Sequence, residues 1–388
     1  MTDTEAAPRL VSGLVLGRVL AAVGLVAALV AVLGDPAAAR AAALQVWSPF
    51  VLVAGLLLVG LVADGDGLFA AGGHALARLA PNGTALFAGM SLLVVVVTTV
   101  LNLDTSVTFL TPVLVSAARS RGEGEAALLI GCLALSNAGS LLLPGSNLTN
   151  LIVSGHLHRS GGSFLAHMLV PGLGATLVTA VVIGALHHRE LRATAAPSGG
   201  APRPVLGVGM AAVAAVALLV IVLRQPALPV LAVGVVATAV RSLRSAGSAV
   251  PRRAVEVLGV PVLVALFGMA VALGTLGRVW TGPATLLSHL GAWGTAYVAA
   301  GASVLVDNLP AASLLAARRP PHPFSLLVGL DVGPNLFVTG SLAWVLWLRA
   351  ARRAGADPSV RRAVLLGVVS APLAIAVAVG LLVLSGSS

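Results

Sequence analysis

Charge is scarce in this sequence: Asp, Glu, Lys and Arg make up 9% of its 388 residues, against about a quarter in a soluble domain. Water is therefore not the main solvent of the folded chain. Lysine is absent, so all 23 basic residues are arginine. Cysteine occurs once, at Cys132, which excludes an intramolecular disulfide and any multi-cysteine metal site. Strand-like alternation of polar and apolar residues is missing as well, which argues against an outer-membrane barrel.

What fills the chain instead is apolar: 58% of residues are hydrophobic and the mean hydropathy is +1.03. Runs such as residues 13–33, 206–222 and 255–276 approach or exceed the roughly 20 residues that cross about 30 Å of hydrocarbon as a helix. The net charge of +10 would suit nucleic acid, but its placement does not. The arginines collect in short loops at 189–203, 241–253 and 349–362, where a membrane protein holds its cytoplasmic charge, so no nucleic-acid partner is expected. Residues 1–12 carry Asp3 and Glu5, and no Ala-x-Ala cleavage site precedes the next span, so residues 13–33 are expected to remain as a helix. These features predict an all-α, multi-pass protein of the bacterial inner membrane, in contact with lipid.

The polar segment 187–204 divides the chain into two transmembrane halves, 1–186 and 205–388, and is itself expected on the cytoplasmic face. In the first half, spans at 13–33 and 47–63 and an amphipathic stretch at 64–81 lead to 85–101, the polar tip NLDTS and a return at 107–118. A second interruption, 136–150, separates 126–135 from the span 164–186. The second half repeats the order after spans at 206–222, 228–240 and 255–276 and a linker at 277–292. There the segment 293–306 meets the tip DNLP and returns at 311–317, and 324–330 breaks at DVGPNLFVTGS before 342–348. Asp104 and Asp307 stand about half the chain apart and are read as equivalent positions.

A segment as short as 293–306 covers about 21 Å as a helix and cannot cross alone. Each tip is therefore expected on a re-entrant hairpin, and each second interruption in a broken transmembrane helix. Unwound backbone at that depth is tolerated only when buried in protein or lining a wet cavity. With the N-terminus inside, this topology gives sixteen arginines to the inner face and six to the outer, and opens the two hairpins to opposite faces. That arrangement is a pair of inverted-topology repeats.

The interruptions concentrate acids, small polar residues and helix breakers. A carboxylate at mid-bilayer costs about 2.5 to 3.5 kcal/mol, so Asp104, Asp307 and Asp331 need partners, a proton or a function. Around them stand Asn102, Thr105, Ser146, Asn147, Asn308, Asn335, Thr339 and Ser341, whose groups, with half-helix ends, suit a small polar solute or an ion. Each Ser or Asn can equally serve helix packing, and Asp331, beside Gly333 and Pro334, can equally cap a half-helix. Cys132 reads as a small buried apolar residue. His156 and His158, like His187 and His188, lack partner ligands at metal spacing, so they read as interfacial and no metal or cofactor is expected.

The segments LNLDTSVTFLTPVLV (101–115), SNAGSLLLPGSNLTNLI (136–152), SVLVDNLPAASLL (303–315) and GLDVGPNLFVTGSLAWVLWL (329–348) resemble the arsenical pump membrane protein (arsenite permease) family, within the wider ion transporter superfamily. The resemblance implies export of arsenite or antimonite by proton exchange or with a soluble ATPase partner, and leaves a homodimer open. It implies substrate sites at Asp104, Asn147, Asp307, Asn308, Asp331, Asn335 and Ser341. Arsenious acid is neutral at pH 7 and offers three hydroxyls to such groups. Asp104 and Asp307 would then carry the coupling proton. Sodium/proton antiporters and organic-anion permeases share the architecture and remain alternatives. Against a carboxylate substrate stand the sequence Ser146, Asn147, Leu148, where dicarboxylate carriers have Ser-Asn-Thr, and loops without a concentrated cationic pocket. A membrane-embedded enzyme would need a nucleophile with its base or a metal cluster, and neither is evident.

Overall fold

The computed structural model describes residues 3–121, 124–155, 161–192, 207–223, 225–244 and 249–386. Among them there are helices and no strand. His156, His158 and most of the segment 187–204 lie outside the described residues.

Helix α1 (Asp3–Gly34) is followed by α2 (Pro36–Gly65), which is far longer than the span expected from hydropathy. Its start is set by Asp35, whose side chain accepts from the Ala38 amide at 2.9 Å, and by Pro36 in the first turn. The amphipathic α3 (Leu68–Leu79) then leads to a helical hairpin, α4 (Gly83–Val100) and α5 (Leu103–Ser120). After it come α6 (Ala126–Gly139), two 3₁₀ turns over 140–146, α7 (Leu148–Ser154) and the span α8 (Gly161–Leu186).

Helices α9 (Val208–Val222), α10 (Ala227–Arg244) and α11 (Ala249–Leu258) precede a second passage through the same order. Gly259, at φ 54°, turns α11 into the span α12 (Val260–Val279), so the expected run 255–276 is two helices. The short α13 (Gly282–Ser288) leads to the hairpin α14 (Ala292–Val306) and α15 (Asn308–Leu315). Then come α16 (Pro323–Val332), two 3₁₀ turns over 333–340, α17 (Leu342–Arg353) and the closing span α18 (Val360–Leu384). Helix α18 lies beyond the last segment predicted from sequence, 342–348, and its mean hydropathy of 2.5 is the highest of the candidate spans among the described residues.

In hydrocarbon every backbone group must find a partner inside the protein. At the breaks, side chains supply them. Asn102 accepts from the Thr105 amide at 2.7 Å, Asn147 from the Thr149 amide at 3.3 Å and Asp307 from the Leu309 amide at 3.1 Å. Freed carbonyls are met by Asn150, whose amide donates to Ser140 and Leu143, and by Trp344, whose indole donates to Pro334 at 2.8 Å. Apolar side chains such as Leu29, Val30 and Leu33 of α1 stay exposed, as a lipid-facing surface requires.

The hairpins and half-helices pair crosswise. Helix α5 of the first half packs against α17 of the second, and α15 of the second against α7 of the first. At the mouth of the first hairpin Arg119 donates to the carbonyls of Ala354 (3.0 Å) and Gly355 (2.8 Å). The mouth of the second lies with the N-terminal part of α2: Gln45 donates to the carbonyls of Ala316 (3.0 Å) and Ile152 (3.3 Å), and Arg318 to that of Arg278.

Candidate functional site

Four helices, α5, α7, α15 and α17, begin at one small cavity, because each follows a break that unwinds the chain inside the bundle. Its volume is about 20 Å³, room for about one water molecule. From the first half, Leu103 and Asp104 of α5 and Asn147 and Leu148 of α7 line it. Asp307, Asn308 and Leu309 at the start of α15, and Ser341, Leu342 and Ala343 at the start of α17, line it from the second. Leu266 of α12 completes the wall.

A helix start leaves its first amide groups without intrahelical partners and carries a partial positive charge. Four such ends facing one point make a positive field with no cationic side chain among the lining residues. Two carboxylates stand in that field. Asp104 is 5% exposed, and its charge and that of Asp307 are close enough to act on each other. The Asp307 carboxyl also faces the amide of Leu342. The hydroxyl of Ser341 is buried and has no hydrogen-bond partner among the described residues.

Several expected site residues lie elsewhere. Thr105 is buried with its methyl toward α2, where a Cβ on Gly60 would stand 2.5 Å from it. Ser146 donates to the carbonyl of Thr99 at 3.1 Å, and Thr339 donates to that of Val304. Asn102 acts as the cap of α5. Asn335 accepts from Asn137 at 2.8 Å and donates to the carbonyl of Ala134 at 3.2 Å, fastening one broken helix to the other.

Asp331, expected as a substrate site or alternatively as the cap of a half-helix N-terminus, does not take the capping position. It occupies the last turn of α16, is wholly buried, and is surrounded by donors: Ser140 at 3.2 Å, Asn147 at 2.9 Å, and the Thr149 hydroxyl. It therefore reaches the cavity only through Asn147. The pairing of Asp104 with Asp307 is corrected too. Asp307 is the cap of α15, as Asn102 is of α5, whereas Asp104 sits inside the first turn of α5. Asp307 also holds φ 72° and ψ 146°, a left-handed conformation that residues with a Cβ rarely adopt.

The apolar lining was not anticipated, yet it had a signal. Each break contains a small polar residue followed by leucine, at Asn102-Leu103, Asn147-Leu148, Asn308-Leu309 and Ser341-Leu342, and each of these leucines faces the cavity.

A protein-family model described as a citrate transporter (CitMHS) matches residues 10–329. The chain belongs to the citrate transporter family. Its fold is also similar to that of a solved transporter, YdaH of Alcanivorax borkumensis, whose report describes an unusual topology. The TM-score is 0.55 at 17% sequence identity, over 87% of this chain and 85% of that one. With seven helices long and apolar enough to span a bilayer among the described residues, this member of the citrate transporter family is a multi-pass membrane transporter and not an enzyme.

Proposed function

We propose that the chain is a secondary active carrier of a citrate-class carboxylate, working by alternating access between two inverted halves. The observation that carries this reading is the meeting of four helix starts, with the free Ser341 hydroxyl, at one cavity. Carboxylate oxygens are the natural complement of such ends. The absence of the Ser-Asn-Thr sequence and of a cationic pocket, which argued against an anion, loses its force because the positive field resides in the backbone. The family name supports the same substrate class.

An anion arriving at this cavity meets Asp104 and Asp307. Their negative charges oppose it unless they take up protons or share a cation with it, so binding of the coupling ion and of the substrate favour each other. The cavity holds about one water, too little for citrate, so the hairpins must part to admit substrate and reclose around it. The crosswise pairing supports alternate opening of the two sides, the hairpin mouths facing opposite ways on this reading.

Arsenite or antimonite export is a second reading, favoured by one observation: the lining side chains are carboxylates, amides and hydroxyls, which suit a neutral solute with several hydroxyls. A soluble ATPase partner and a homodimer belong to that reading. The deciding experiment is counterflow in proteoliposomes with radiolabelled citrate or arsenite, with and without an imposed pH gradient. Citrate exchange that responds to the gradient is expected. Arsenite exchange with no citrate exchange would replace the first reading with the second.

A further inference from the structure

Ten of the residues around the cavity come from the four breaks, and those segments must move for substrate to pass. Leu266 alone comes from a continuous span, α12. Its surroundings hold it still. On one side of this turn α12 lies directly on α1: a Cβ on Gly24 would stand 2.5 Å from the carbonyl oxygen of Ala265, and one on Gly268 would stand 2.1 Å from that of Gly24. Contact this close ties the turn that carries Leu266 to α1, a second helix outside the breaks. Leu266 itself packs on the buried cluster that includes Val271 and Leu309. Farther along, α12 meets the C-terminal end of α15 as closely, a Cβ on Gly277 standing 2.4 Å from the carbonyl oxygen of Leu314, so it braces the base of that hairpin and not its tip.

All the hydrogen-bonding groups and helix starts belong to the tips, which also bring Leu103, Leu148, Leu309, Leu342 and Ala343, and the one lining residue from outside the tips is a branched hydrocarbon. Groups that bind oxygen atoms decide that an oxygen-rich solute is held, but they do not limit how far it extends away from them. The wall does. We infer that Leu266 is a specificity-determining residue, an immobile apolar stop that sets the bulk of the solute the tips can close around. The inference rests on the carrier function proposed above and adds to it a residue outside the breaks.

The test is competition in proteoliposomes. Uptake of the labelled substrate is challenged with unlabelled succinate, tricarballylate, citrate, arsenite and antimonite, for wild type and for Leu266→Ala, Leu266→Val and Leu266→Met. Shortening the stop should raise the potency of the bulkier competitors relative to the smaller by about tenfold in Leu266→Ala. Leu266→Val should be intermediate, and Leu266→Met close to wild type. Unchanged potency ratios in Leu266→Ala would overturn the inference. Should that variant fail to reach the membrane, the ratios for Leu266→Val decide, and a wild-type ranking there overturns it equally. A wild type that exchanges arsenite and antimonite but no carboxylate would remove the proposed substrate class. The stop would then stand or fall on the arsenite-to-antimonite ratio in the same variants.

Discussion

Among the three intramembrane acids, environment separates the roles. Asp331 meets donors at both carboxyl oxygens, whereas Asp104 faces the cavity and accepts no hydrogen bond from the described residues. Asp331→Asn would turn an amide toward at least one of those donors, leaving buried groups unpaired at a cost of about 1 to 3 kcal/mol. A lower melting temperature in detergent is expected, with weakened transport because Asn147 is no longer held, and an unchanged melt would sink this role. Asp104→Asn should do the reverse. It removes a buried charge and keeps the shape, so the melt should be equal or higher, while flux driven by the pH gradient is lost. Wild-type flux in that variant would show that coupling runs through another group. Nothing in the one-letter code separates the two aspartates, because each sits among Asn, Ser and Thr. The difference arises from which distant segment folds against them, and for Asp331 the donors lie 182 to 191 residues away.

At the scale of the element, the helix start is the working part. Prolines, glycines and interrupted apolar runs made the breaks legible, since unwound backbone at membrane depth demands them. The register within each break was less legible, because a shift of two residues decides whether an acid caps a helix or lies in its first turn. Asp307 shows what that register demands: its left-handed backbone costs about 1 to 3 kcal/mol. Asp307→Gly relieves that strain, and glycine is only a few tenths of a kcal/mol poorer as a cap. The variant should melt no lower than wild type yet transport poorly for want of the carboxyl. A lower melt together with intact transport would show that the side chain, and not the transport reaction, justifies the strained conformation.

For the molecule as a whole, the sequence disclosed two halves of like order because long apolar spans and polar tips recur at similar spacing. It disclosed less of their embrace, since crosswise packing of α5 on α17 and of α15 on α7 depends on pairs far apart in the chain. The inverted arrangement can be tested directly. In a Cys132→Ser background, which should transport normally because Cys132 is buried away from the cavity, Arg119→Cys and Arg318→Cys place thiols at the mouths of the two hairpins. An impermeant maleimide should label them from opposite sides of the membrane. Labelling from one side would refute the inversion.

The positive field at the meeting of the four helix starts belongs to peptide groups, which every substitution other than proline leaves in place. No single point mutation can delete it, short of refolding the break. On the proposed carrier function, descent within such a scaffold is therefore permissive: leucines and amides around the cavity can change, and the cargo with them, while the capacity to hold an oxygen-rich solute persists through every intermediate. New cargoes are then reachable by small steps from old ones.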